Sequence, residues 1–481
     1  MARATRAKGK ASREPQAADL VIANACVLTL DAKRRVFADG AIAIRGRDIA
    51  MVGRTKDVCA AWRAPRTIDA KGAVVHPGFV EGHYHMTMHL TRASITDDPR
   101  KPALGGGSTK GRSIYSQWYN ALTDEDEHAS ALLASLEMAR NGYTCFMEPG
   151  TALETDAVAK AAEAVGIRGS LADPFLWDTT GHFQGAAEID RAPPKLARCL
   201  KTLGRELRRN RDPEALVGAH VAVYGSGSAS DELMRAAKRC ADENGVILNQ
   251  HQSFMPEATA ALDAQYGRHT LVHFAELGVL GPNVTFVHMN VVRDDEVEPI
   301  VSSGMSLVWH PGNYLFYGLG AKTPQRMPEL HERGVNLALG HDIAKIWTFG
   351  ELPYLAYLAA RNHGHFVPAS ACLEMATIGG AKALGWEKRI GSLEAGKRAD
   401  LVIRRSDLPE AQPGVNPVLE SVLVARSKGI DTVICDGEII VRDGCSTRLD
   451  EDEVYARARA SARRIMAKAG LKPDIDWPVV R

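Results

Sequence analysis

Eight short runs of β-branched and aliphatic residues recur along the middle of the chain, and this repetition limits the fold more than any other feature. The runs are Ala73–His83, Tyr143–Glu148, Ile167–Pro174, Val217–Gly225, Val246–His251, Val284–Asn290, Met305–His310 and Val335–Asp342. Helical patterns such as Glu127–Arg140, Ser230–Asn244 and Leu352–Arg361 follow or separate several of them. Asn141-Gly142, Asn244-Gly245 and Arg333-Gly334 stand just ahead of the next run. Glycine there takes the left-handed conformation that stops a helix. This strand–helix alternation predicts an α/β fold, a parallel (β/α)8 TIM-like barrel, which by itself uses about 250 residues.

Both chain ends read differently. Leu20–Leu30, Ala41–Arg45 and Ile49–Val52 at one end, and Asp400–Arg404, Asp431–Cys435 and Glu438–Val441 at the other, look like short strands. Asp436-Gly437 is a hairpin signal between the last two. The expected organisation is a disordered basic tail (1–18), a composite β-sandwich from both ends (19–72 and 391–447), the barrel (73–390), and a C-terminal helix and tail (448–481), the helix over Arg457–Ala469. The tail carries Arg3, Arg6, Lys8, Lys10 and Arg13 with no apolar stretch behind them, so it is not read as a secretory signal. Gly105-Gly106-Gly107-Ser108 reads as a mobile insertion, because no helix start with Lys-Ser/Thr follows to make a phosphate cradle.

Composition narrows the partners. The chain has 481 residues, 45% hydrophobic and 24% charged, with 59 Lys+Arg against 58 Asp+Glu. Such a balance excludes a disordered, collagen-like or supercharged protein and gives no reason to expect nucleic acid or membrane as a partner. A small-molecule substrate and a homo-oligomeric assembly are expected instead. The eight cysteines are scattered without CxxC spacing, which reads as reduced thiols in a cytoplasmic protein. No apolar run approaches the roughly 18 residues of a membrane span.

His83-Tyr84-His85 ends the first run. Residues i and i+2 of an extended chain point the same way, so both imidazoles can face one metal ion. Among 16 histidines an HxH alone carries little. Its weight comes from His251, His288 and Asp342, each at or near the end of another run. Barrel enzymes build their sites from the C-terminal ends of the strands, so five residues distant in sequence would meet at one mouth.

With those residues in view, His76-Pro77-Gly78-Phe79-Val80-Glu81-Gly82-His83-Tyr84-His85 resembles the "PGxxxxHxH" signature of the metal-dependent amidohydrolase superfamily. Leu337-Ala338-Leu339-Gly340-His341-Asp342 resembles its "ALGTD" segment, and the stretch from Met375-Ala376-Thr377 to Ala399-Asp400-Leu401 resembles its "MAT…ALG…IGSLxxGKxADL" run. The pattern is most similar to the branch of triazine hydrolases and cytosine- and guanine-type deaminases, whose "EMxxxGxTxxxD" is matched from Glu137-Met138 to Phe146, with Glu148 where the last acid differs.

The resemblance implies that His83, His85, His251 and Asp342 bind metal. It also implies that Asp342 moves protons and that His288 hydrogen-bonds the attacking water or the substrate. The fourth run holds no lysine to bridge two metals, so one divalent ion is expected: Zn2+, with Co2+, Mn2+ or Fe2+ as alternatives. Two positions depart from the branch. Phe254 stands where many of its deaminases have the glutamate that protonates a ring nitrogen, with Glu257 the nearest acid downstream, and the "SN" after the seventh strand is altered to His310-Pro311-Gly312-Asn313-Tyr314. These departures shift the expected reaction toward amide, urea or carbamate C–N hydrolysis, as in phenylurea and thiocarbamate hydrolases, of a small, partly hydrophobic molecule. The alternative is an aminohydrolase or dehalogenase of an N-heterocycle such as a triazine, pyrimidine or purine. A catalytically dead scaffold should have lost metal ligands, and none is lost. Aromatic residues cluster in the loops: Trp118, Phe175, Trp177, Phe183, Trp309, Tyr314, Phe316 and Tyr317. Trp118, Trp177, His182, His310 and Tyr314 are the candidate substrate contacts.

Overall fold

In the computed structural model, which describes residues 14–92, 108–109, 112–181, 188–343, 348–472, 475 and 477–480, the eight runs form the expected parallel barrel. Its strands are Phe79–Glu81, Tyr143–Met147, Arg168–Leu171, a fourth broken at His220 into Val217–Ala219 and Val221–Gly225, then Leu248–Gln252, Val284–His288, Ser306–Trp309 and Asn336–Leu339. Successive strands pair in parallel within each half of the barrel. Past the strand ends the first and last close the ring: Gly82 N donates to Leu339 O at 2.9 Å, Asp342 N to His83 O at 2.9 Å, and His85 N to Asp342 O at 2.9 Å. A Cβ on Gly82 would sit 2.8 Å from the Leu339 carbonyl, so this closure needs glycine.

Side-chain alternation explains the packing. Phe286, Leu307 and Leu337 join the cluster that contains the outer helices, while their neighbours Val287, Val308 and Ala338 join Val80, Cys145 and Met147 in a second cluster inside the barrel. Ala381, Ala383 and Leu384 belong to that inner cluster and plug the end where the strands begin. Two bonds hold the plug: Thr285 Oγ1 donates to Ala383 O at 2.7 Å, and Asn336 Nδ2 to Gly379 O at 3.0 Å.

The two chain ends meet in one nine-stranded sheet. Leu20 and Ile22 face a core shared with Ile42, Ile44, Leu401 and Ile403, whereas Val21 and Ala23 pack with Val58 and Trp62 on the other face. Val402, Val433 and Val441 turn toward the barrel core and dock the sheet on it. Asp436 and Gly437 make the expected hairpin with φ of +53° and +82°.

Three local expectations change. The run Ala73–His83 is two strands: Val74–Pro77 belongs to the end sheet, between Leu20–Leu28 and Leu401–Arg404, and Phe79–Glu81 begins the barrel. The break falls at Gly78, where any Cβ would run into the Thr144 side chain of the second barrel strand. The last helix starts earlier, at Glu451, because the Asp450 side chain accepts from Asp452 N at 3.0 Å and three acids follow in the favourable first turn. At the N-terminus Gln16–Ala17 pair in parallel with Trp62–Arg63, so strand structure begins inside the stretch read as a tail. The first thirteen residues and Gly105 to Gly107 lie outside the described residues. All eight cysteines are free thiols, and among the described residues no helix is long and apolar enough to cross a membrane.

Candidate active site

The C-terminal ends of the first, fifth, sixth and eighth strands bring His83, His85, His251, His288 and Asp342 together, all of them buried. The ring of His83 lies 5.0 Å from His85, 4.7 Å from His251 and 5.7 Å from His288, centroid to centroid. Asp342 Oδ1 is 3.1 Å from His85 Nε2 and 3.6 Å from His83 Nε2, and His251 Nε2 is 3.3 Å from His85 Nε2. Two triads, His83 with His85 and Asp342, and His83 with His251 and His288, each gather their ligand atoms within 4.8 Å of one another. Neutral imidazoles and a carboxylate at such spacing are a donor set for one borderline divalent metal.

The surroundings aim the lone pairs inward. Thr151 Oγ1 donates to Glu148 Oε1 at 2.6 Å, so the same oxygen accepts from His85 Nδ1 at 2.8 Å and leaves His85 Nε2 turned to the cluster. The Tyr224 carbonyl takes the Nδ1 proton of His251 at 2.7 Å, with the same result. Burial, and then the neighbouring histidines, hold the His251 imidazole well below its ordinary protonation range, which keeps it neutral and able to ligate a metal. His288 and Asp342 have φ of +72° and +69°, a left-handed backbone that costs non-glycine residues about 1–3 kcal/mol each. Strain of that size at the ends of the sixth and eighth strands is what a preorganised site stores.

Two supporting residues escaped the sequence reading. Glu81, fully buried, accepts from His341 N at 2.7 Å and from His83 N at 3.3 Å, tying the first strand end to the last. Its only signal was a position two residues before His83. Asn313 Nδ2 donates to Asp342 Oδ2, so the altered segment after the seventh strand still delivers an asparagine amide to the carboxylate.

A cavity of about 170 Å³ opens over the cluster. His85, His251, His288 and Asp342 line it together with Tyr115, Tyr224, Phe254 and Tyr317. Phe254 packs on His288 at 4.5 Å and meets Tyr317 edge-on at 5.5 Å. Among the described lining residues Asp342 is the only carboxylate; Glu257 is exposed and pairs with Lys322 at 3.2 Å.

Four of the expected substrate contacts lie off the described lining of this cavity. Trp118 is fully buried behind the wall; Trp177 donates its Nε1 proton to Ala192 O at 2.6 Å; Tyr314 donates its hydroxyl to Thr323 O at 2.6 Å. None of the three is among the described lining residues, and Trp177 packs behind the wall on Tyr224 at 4.9 Å. His310 packs against the cluster, 5.1 Å from the His83 ring and 4.5 Å from His288, and like His83 is not among the described lining residues. His182 and Phe183 fall outside the described residues. A larger cavity of about 520 Å³ opens at the opposite end of the barrel, beside His220, Trp386 and Arg389, and none of the five clustered residues reaches it.

Comparison with known proteins supplies the family and the fold. The profile of the amidohydrolase family matches residues 74–440. A 5-methylthioadenosine/S-adenosylhomocysteine deaminase of Syntrophobacter fumaroxidans is 32% identical over 454 residues, 93% of this chain and 98% of its own length. The zinc-bound crystal structure of an adenosine deaminase from Xanthomonas campestris superposes with a TM-score of 0.83 at 25% identity, covering 94% of this chain and 100% of that one. The zinc complex of atrazine chlorohydrolase from Arthrobacter aurescens shares the fold, with a TM-score of 0.78 at 22% identity over 92% of this chain and 100% of its own.

Proposed function

Because the chain belongs to the amidohydrolase family of metal-dependent hydrolases, we propose that it is an aminohydrolase that removes an exocyclic amine from a planar nitrogen heterocycle, of the purine type named for its relatives. The cavity carries this reading. Tyr115, Tyr224, Phe254 and Tyr317 surround the His–Asp cluster, and a flat ring stacked on such walls gains about 0.5–1.5 kcal/mol per aromatic pair beyond its buried area.

His83, His85, His251 and Asp342 would hold one divalent ion, zinc being the expected one. Such an ion, when bound, polarises the scissile group and makes water acidic enough to deprotonate near neutral pH. Asp342, whose Oδ2 accepts from Asn313 Nδ2, would take the water's proton and return it to the departing amine. His288, across the cluster from His83, orients that water or the ring atom under attack. General acid–base work of this kind contributes about 10²–10⁴-fold. Phe254 has no proton to give, so the ring nitrogen must be hydrogen-bonded by a phenol, or take the water's first proton from Asp342 while the amine takes the second from the hydroxyl just added. Burial pushes the phenols of Tyr115 and Tyr224 up, which keeps both as neutral donors.

Phe254 also favours a second reading, hydrolysis of a substituted amide, urea or carbamate, whose carbonyl carbon needs no ring protonation. Kinetics on two panels, aminopurine nucleosides and aminotriazines against acyclic amides, ureas and carbamates, decide between them. Higher kcat/KM on the heterocycles supports the proposal, and an acyclic compound outpacing all of them replaces it with the second reading.

A further inference from the structure

Tyr84 separates two of the clustered histidines, and its side chain points away from them by the alternation of an extended chain. Its backbone is clasped on both sides: Tyr84 N donates to Met147 O at 3.0 Å, and Tyr84 forms a parallel bridge with Asp342. Whatever fixes the Tyr84 ring therefore fixes the peptide planes that aim His83 and His85. The ring is 1% exposed and packs on Phe349 at 4.9 Å, and its hydroxyl meets His89 Nδ1 at 2.6 Å. His89 Nε2 in turn faces Glu137 Oε2 at 3.3 Å, and Arg92 grips the same carboxylate, with Nη2 at 2.9 Å from Oε1.

The helix Asp124–Arg140 supplies the far end of this chain. Ser130 and Glu137 are two helical turns apart and so share one face. That face meets the short helix Met86–Thr91, where Ser130 Oγ donates to Met86 O at 2.8 Å and accepts from His89 N at 3.1 Å. Although burial pushes the Glu137 carboxyl up, the bonds and charges of His89 and Arg92 bring it down to about 2, so it is an anion throughout the neutral range. An anion accepts only. Its charge, 3.3 Å from Nε2, favours the tautomer with the His89 proton on that nitrogen, which leaves Nδ1 to accept from the Tyr84 hydroxyl.

We propose that Glu137 is a positioning residue for the metal site, acting through His89 and Tyr84 to hold the His83–His85 pair in ligating geometry. This rests on the ligand assignment above and adds a residue that touches neither metal nor substrate. It also gives a physical task to the glutamate of the Glu137-Met138 motif.

Zinc affinity of the full-length protein, measured by competition with a chromophoric chelator, tests it. Tyr84→Phe and Glu137→Gln are each expected to weaken zinc binding about tenfold, the lower end of what outer partners of a metal site contribute. The double variant should lose no more than the weaker single one, because the two changes cut one chain. His251→Ala serves as the control for the ligand assignment, with near-complete loss of binding. Wild-type affinity in both single variants, with only the apo melting temperature lowered, overturns the positioning role. So do losses that multiply in the double variant. Wild-type zinc binding in His251→Ala would instead overturn the ligand assignment.

Discussion

The two ends of the barrel are built from the same strands and differ in almost every physical respect. Where the strands begin, Ala381, Ala383 and Leu384 plug the barrel and join the apolar cluster inside it. Where they end, a few residues farther along, four buried imidazoles and a carboxylate crowd together, with left-handed backbone at His288 and Asp342. Close-packed apolar groups stabilise a fold at no cost in polarity, whereas crowded polar groups and strained backbone destabilise it unless a ligand is bound. On the proposed function, the plug keeps the barrel and the mouth does the chemistry. Substitutions at the two ends should separate activity from stability.

The sharpest break is Asp342→Asn. It removes a proposed ligand and the proton carrier together, so kcat is expected to fall by about 10³-fold or more, near the upper range for acid–base groups. The apo melting temperature should hold or rise, since the amide relieves crowding beside His85. Steady-state kinetics with calorimetry would show it, and a large loss of apo stability would mean that the mouth is structural too. His288→Asn is the next in size. It should cost about 10²-fold in kcat while the metal stays bound, because His288 is assigned to the water and not to the ion. If metal occupancy fell with activity, His288 would be a ligand.

Phe254→Glu works in the other direction. A carboxyl on this wall, beside His288, restores a proton donor for a ring nitrogen, and kcat/KM on aminoheterocycles should rise by about tenfold to 10²-fold over acyclic substrates. No change would remove Phe254 from the account of specificity. At the plug, Leu384→Ala should cost about 2–5 kcal/mol by denaturant unfolding and leave kcat within a factor of about two. A matching collapse of activity would join the two ends that the comparison separates.

The sequence made much of this legible for a local reason. A strand pattern and the polar residue at its end lie within a few positions of each other, so His251, His288 and Asp342 could be assigned to the mouth once the barrel was recognised. Contacts between distant segments could not be read in this way. Gly78 breaks the first run because of Thr144, and Arg168 is neutralised by Asp400 at 2.8 Å across 232 positions and by Asp436. Side-chain direction on short helices was equally hidden. Tyr115 and Trp118 share the helix Ile114–Ala121 and pack in one cluster with Ala458 and Ile465 of the last helix, yet only Tyr115 of the two reaches the cavity. The asparagine that reaches Asp342 was visible as Asn313, but its reach depends on the turn at His310-Pro311, which no periodicity encodes.

The central claim is a single metal ion at the mouth, and elemental analysis of the active protein before and after chelation tests it most directly. One divalent ion per chain is expected, with turnover lost when it is stripped and regained on adding Zn2+. Two ions per active chain, or turnover that survives complete removal of metal, would contradict it.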